Sequence, residues 1–125
     1  MLDKGKTAEG ATDVKTAAQV RVVLVTCGNL AEARRIAKSL VVKRLAACVN
    51  IVLGPVESIY HWKGKVEKSR ERLLIIKTTA PRLAQLEREV KRLHSYDVPE
   101  FIAVPVTAGS REYLAWLSAT STPRE

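Results

Sequence analysis

Apolar positions along this chain change period several times, and each change marks an element. Residues 21–27, RVVLVTC, form a compact β-branched run, which predicts a buried strand. Gly28 and Asn29 end it, and Asn29 with Glu32 three residues on reads as a capping-box-like helix start. Leu30, Ala33, Ala37, Leu40, Val41 and Leu45 recur at helical spacing, with Arg34, Arg35, Lys38 and Lys43 largely off that stripe. This predicts a first helix over 30–45. A second strand begins near Ala46 and meets Gly54-Pro55, where the lost ladder donor predicts a bulge or kink, with pairing resumed at Val56. It runs to Trp62, turns at Lys63-Gly64 and returns over 65–78. Thr79 or Ala80 is expected to cap a second helix, with Pro81 in its first turn and Leu83, Leu86, Val90 and Leu93 on its buried face. Residues 101–107, FIAVPVT, predict a fourth strand, and Pro105 places it at an edge or where pairing stops. Ser110 then caps a short helix carrying Tyr113, Leu114, Trp116 and Leu117.

The order is β-α-β-β-α-β plus a C-terminal helix, which predicts an α+β ferredoxin-like sandwich: an antiparallel sheet with both main helices on one face. Two features do not fit a lone copy. The hairpin around Lys63-Gly64 has strands roughly twice the usual length of about 5–6 residues. Residues 51–53 and 73–76 are apolar at consecutive positions, where strands buried on one face only should alternate. Both are satisfied if the helix-free face and the hairpin are buried against further copies, and a homotrimer is the expected assembly.

Composition narrows the picture further. Of 125 residues, 46% are hydrophobic and 27% charged, which is ordinary for a globular chain. One domain is expected over 20–119, between a flexible tail at 1–19 and a short polar tail at 120–125. No run approaches a membrane span, and the N-terminus has no apolar signal region, so no membrane association and a cytoplasmic location are expected. Cys27 and Cys48 sit in apolar segments and do not suggest a disulfide scaffold. The formal charge of +8 raises nucleic acid as a partner. The basic residues are spread among acids, however, and the third strand, RLLIIKT, offers no aromatic for base stacking. No nucleic-acid partner is expected.

The stretches AACVN at 46–50, SIYHWKGKVE at 58–67, LLIIKT at 73–78, LHSYDVPE at 93–100, IAVPVTAGS at 102–110 and YLAWL at 113–117 resemble the CutA divalent-cation-tolerance proteins. The likeness runs from Val22 to Leu117 with the motifs in order. It implies a ferredoxin-like fold related to the PII signalling proteins, a tight trimer, a part in the response to metal ions, and Cu(II) or another divalent metal as ligand. It implies no established reaction, and the chain is not expected to be an enzyme. Of a metal site proposed for some family members, built from a first-strand cysteine and two adjacent histidines, only His94 carries over. Leu93 replaces the other histidine, and Val25 stands where the cysteine would be, with Cys27 two residues on.

The candidate metal ligands are His94, Glu100 and Cys48. An imidazole near carboxylates suits a first-row metal and a thiol suits copper. The competing readings are a helix-end histidine on backbone carbonyls and a buried core thiol. Tyr60, Trp62, Glu67, Lys77, Tyr96, Tyr113 and Trp116 are expected around an inter-subunit cleft, with Tyr60 and Trp62 on one strand face. Lys77 would need a partner such as Glu67 or Glu100. The alternative to metal binding is a PII-like module that holds a small anionic ligand through Lys77 and nearby arginines.

Overall fold

The computed structural model describes residues 11–123, so residues 1–10 of the expected N-terminal tail and residues 124–125 of the C-terminal one lie outside it. In chain order the elements are β1 (Thr12–Asp13), a 3-10 turn (Ala17–Gln19), β2 (Val20–Cys27), α1 (Leu30–Val42), β3 (Cys48–Ile51), β4 (Val56–Trp62) and β5 (Lys65–Thr79). A second 3-10 turn (Ala80–Arg82), α2 (Leu83–Leu93), β6 (Ile102–Pro105), β7 (Gly109–Ser110) and α3 (Arg111–Thr120) complete it. The main sheet is antiparallel in the order β3-β5-β2-β6, with β6 and its Pro105 at the edge. This is the ferredoxin-like sandwich that the element order predicts.

β5 is 15 residues long and belongs to two structures at once. From Arg72 to Thr79 it pairs with β2, and β3 flanks it on the other side. From Lys65 to Glu71 it pairs, among the described residues, only with β4, forming an arm beyond the sheet. The break between β3 and β4 falls where Gly54-Pro55 interrupts the ladder, and the Arg72 guanidinium donates to the Leu53 carbonyl freed there. At the tip Lys63 and Gly64 both take positive φ, 50° and 80°, the primed turn whose twist matches a two-residue hairpin.

The Asn29 side chain accepts from the Glu32 amide at 2.8 Å and starts α1 as expected. The helix ends at Val42, short of 45. Arg44 adopts φ 57°, the Arg44 amide donates to Val41 and the Leu45 amide to Leu40, so the last turn closes in a Schellman motif. Leu45 still meets the core, from outside the helix. The stretch expected as a tail is also corrected, from Ala11 on. β1 pairs with β7, Asp13 accepts from the Thr16 amide at 2.9 Å, and Ala17 is completely buried.

The main core lies between the two helices and the sheet: Val23, Val25 and Cys27 from β2, Leu74 and Ile76 from β5, Ile36 and Leu40 from α1, Leu86 and Val90 from α2. A second cluster of Ala17, Val20, Ala47, Leu114 and Leu117 forms where α3 and the first 3-10 turn meet the start of β2. The helix-free face otherwise presents Val22, Leu24, Leu73 and Ile75 half-buried, with Ile102 and Val104 53% and 41% exposed.

Candidate functional site

α2 stops at Leu93, and the next residues, 94–100, cross the end of the sheet where β2 finishes at Thr26 and Cys27. His94 anchors that crossing. Its side chain is fully buried; Nε2–H donates to the Thr26 carbonyl at 2.7 Å, and Nδ1 accepts from the Tyr96 amide at 3.0 Å. Both ring nitrogens are therefore used, and the partners fix the Nε2–H tautomer. Glu32 of α1, also buried, brings Oε2 to 3.7 Å from Nδ1, and that oxygen has no hydrogen-bond partner among the described residues.

Tyr96 carries the crossing to the arm. Its hydroxyl donates to Glu71 Oε2 at 3.0 Å, and its ring lies obliquely against His94 at a centroid distance of 4.7 Å. Burial, and then the bond to the Glu71 carboxylate, push the Tyr96 phenol up to about 12, so it stays a donor. Between the arm and the crossing lies a cleft of about 720 Å³, lined by Thr26, Glu71, Tyr96, Asp97 and Glu100 together with Ser58, Ile59, Tyr60, Trp62, Ser95 and Val98. Burial first, and the Glu71 charge second, raise the Glu100 carboxyl above its ordinary value. Cys27 behind the cleft is pushed up to about 11 by burial and by Glu32 and Glu71, and is a core thiol.

The structure thus gathers Tyr60, Trp62, Tyr96 and Glu100 into one cleft and leaves the other candidates elsewhere. Cys48 is paired with Lys77, which is paired with Val22, four residues before Thr26 on β2. At about 3.3 Å per residue that offset alone is roughly 13 Å, so Cys48, His94 and Glu100 do not form one ligand set within the chain. Among the described residues, no three His, Cys, Asp or Glu side chains group to hold a metal ion. Lys77 is bound to Asn50 instead of Glu67 or Glu100, because the straight run of β5 puts Glu67 about 33 Å along the strand. Glu67 lies opposite Tyr60 on the arm. Tyr113 and Trp116 pack on one another at 5.5 Å beside the second core cluster. The sequence reading missed Glu71 and Glu32. The signal for Glu71 was its period-two alignment with Glu67, Ser69 and Leu73 on one face of β5; for Glu32 nothing beyond the cap pointed inward.

Fold and cleft together define an α+β ferredoxin-like protein with an extended arm and an acidic, aromatic-walled cleft alongside it. Residues 21–120 match the family model of the CutA1 divalent ion tolerance protein. The chain is 53% identical over 96 residues to the divalent-cation tolerance protein CutA of Thermus thermophilus, covering 77% of this chain and 92% of that one. It is 52% identical over 96 residues to the chloroplastic protein CutA of Arabidopsis thaliana, covering 77% of this chain and 52% of that one. A solved Thermus thermophilus Cut A1 structure superposes with a TM-score of 0.80 at 48% identity, covering 82% of this chain and 99% of that one. The chain belongs to the CutA1 divalent ion tolerance family. No helix among the described residues is long and apolar enough to cross a membrane.

Proposed function

We propose that the protein serves divalent-cation tolerance as a homotrimer whose inter-subunit clefts take up the cation at Glu71 and Glu100. The carrying observation is the charge of the cleft: Glu71, Asp97 and Glu100 line it, and among the described residues no Lys, Arg or His side chain does. The Glu100 carboxyl is held up by burial and by Glu71, and a cation between the two carboxylates would relieve both effects. The described residues of one chain supply too few ligands, and a neighbouring copy would complete the set. Carboxylate oxygens favour a hard cation such as Mn(II). Copper on His94 would require the ring to release the Tyr96 amide, and Cys48 lies too far along the sheet to join it. The same charge disfavours the anionic-ligand reading, since Lys77 lies outside the cleft.

Calorimetric titration with MnCl2 and CuCl2 tests this. Saturable micromolar binding is expected, weakened about tenfold or more in Glu71→Gln and Glu100→Gln, equivalent to roughly 1.4 kcal/mol. Full affinity in both variants, or no saturable binding, removes the metal from this cleft.

A further inference from the structure

The cleft has walls that a metal ion does not use. Tyr60 and Trp62, two residues apart on β4, present the same face, and Tyr96 lies across from them. In a single chain the three residues are 43%, 48% and 38% exposed. Tyr96 is held from two directions, its hydroxyl by Glu71 and its amide by His94, so this wall is set before any ligand arrives. At about 720 Å³ the space falls within the range of small-molecule sites, roughly 300–1,000 Å³, and far exceeds the roughly 30 Å³ share of one water.

Each class of ligand can be set against these walls. An anion would meet three carboxylates and, among the described lining residues, no cation. A neutral molecule gains nothing from the carboxylates, and a bare metal ion gains little from the rings. An ammonium group on an apolar body uses both, because aromatic faces attract cations through their negative quadrupole, tryptophan most strongly. We propose that the cleft binds a small organic cation, an alkylammonium compound, with its charged head against the Tyr60, Trp62 and Tyr96 rings on the side that Glu71 and Glu100 line. The inference uses the same cleft as the metal reading and stands independently of it.

The chain has two tryptophans, so a Trp116→Phe protein leaves Trp62 as the sole indole reporter. Its emission is followed during titration with choline chloride, with 3,3-dimethylbutan-1-ol as the uncharged isostere, and separately with MnCl2, all at constant ionic strength. Calorimetry on the unsubstituted chain repeats each titration, so a folding defect in the variant cannot mimic a result. A saturable response to choline with none to the isostere is expected, and Tyr60→Leu should weaken it roughly three- to tenfold. No saturable response to choline, or equal responses to choline and its isostere, overturns the inference. A response to MnCl2 without one to choline overturns it while keeping the metal reading; the converse supports it and strikes the metal reading.

Discussion

Glu89 shows how a buried charge is made useful at the level of one side chain. From the inner face of α2 it accepts from Ser39 Oγ at 2.5 Å and Lys43 Nζ at 2.9 Å on α1, and from Arg92 at 2.7 and 2.9 Å on its own helix. The Arg92 bonds first, then Ser39 and Lys43, hold its carboxyl well below the usual carboxylate range. Lys43 and Arg92 are half-exposed, so removing Glu89 strands no buried cation. Glu89→Ala should therefore cost about 2 kcal/mol, in the range for hydrogen bonds to charged groups, read as a lowered urea midpoint. Because the folded pKa is depressed, the stabilisation is present above the ordinary value of 4.5 and is lost as pH falls from there through the folded pKa. Glu89→Gln should flatten that acid limb in urea titrations at stepped pH; an unchanged limb would remove Glu89 from the account. Residues of this kind resist sequence reading. Glu89 and Glu32 look like solvated helix charges until the partner helix or loop is in place. His94 was readable as either ligand or carbonyl-bonding helix end, and its two hydrogen bonds favour the second.

At the scale of elements, one arginine joins two helix ends. Arg44 occupies the left-handed position that glycine usually fills after a helix, and its guanidinium donates to the carbonyls of Ala119 and Thr122 at the end of α3. The backbone strain of a non-glycine residue here is about 1 kcal/mol, and each exposed hydrogen bond returns about as much. Arg44→Ala keeps the strain and loses the bonds, so it should destabilise by about 1–2 kcal/mol. Arg44→Gly loses both and should lie nearer the natural chain by about 1 kcal/mol. Thermal melts of the two variants measure that gap, and equal melting points would mean that the position carries no strain. The same residue explains a misread boundary: Leu45 continues the apolar stripe but reaches the core from the Schellman turn, so periodicity carries the expected helix too far. Gly54-Pro55, Lys63-Gly64 and Ser110 were legible because each acts through its own backbone or local side chain. The packing of residues 11–19 was not, since it depends on β7 and α3, which lie far away in sequence.

At the scale of the whole molecule, the arm decides what the monomer lacks. Tyr60 and Trp62 are exposed on one face of the arm, and Ile59 and Val66 on the other. A hairpin lying over its own domain would hide one of these faces; this one hides neither, so a single chain leaves both wet. The helix-free face adds a patch in register: Val104 beside Val22, and Ile102 beside Leu24 and thence Ile75. Fully burying a large apolar side chain stabilises by about 1.5–3 kcal/mol, so several half-exposed ones can support a stable contact. A two-fold pair gives each arm a single copy to lie against, whereas a closed ring of three lets the Ile59–Val66 side meet one neighbour while the Tyr60–Trp62 side borders the cleft that a second neighbour completes. The predicted mass by light scattering is therefore three times 13.8 kDa. Ile102→Asp, at an edge-strand position already half in water, should leave the fold intact and shift the mass toward one chain, while Ile102→Val should leave it unchanged. Circular dichroism separates lost assembly from lost folding. A natural chain that scatters as a monomer, or an Ile102→Asp protein that stays fully assembled, would show that this face is not the contact that closes the ring.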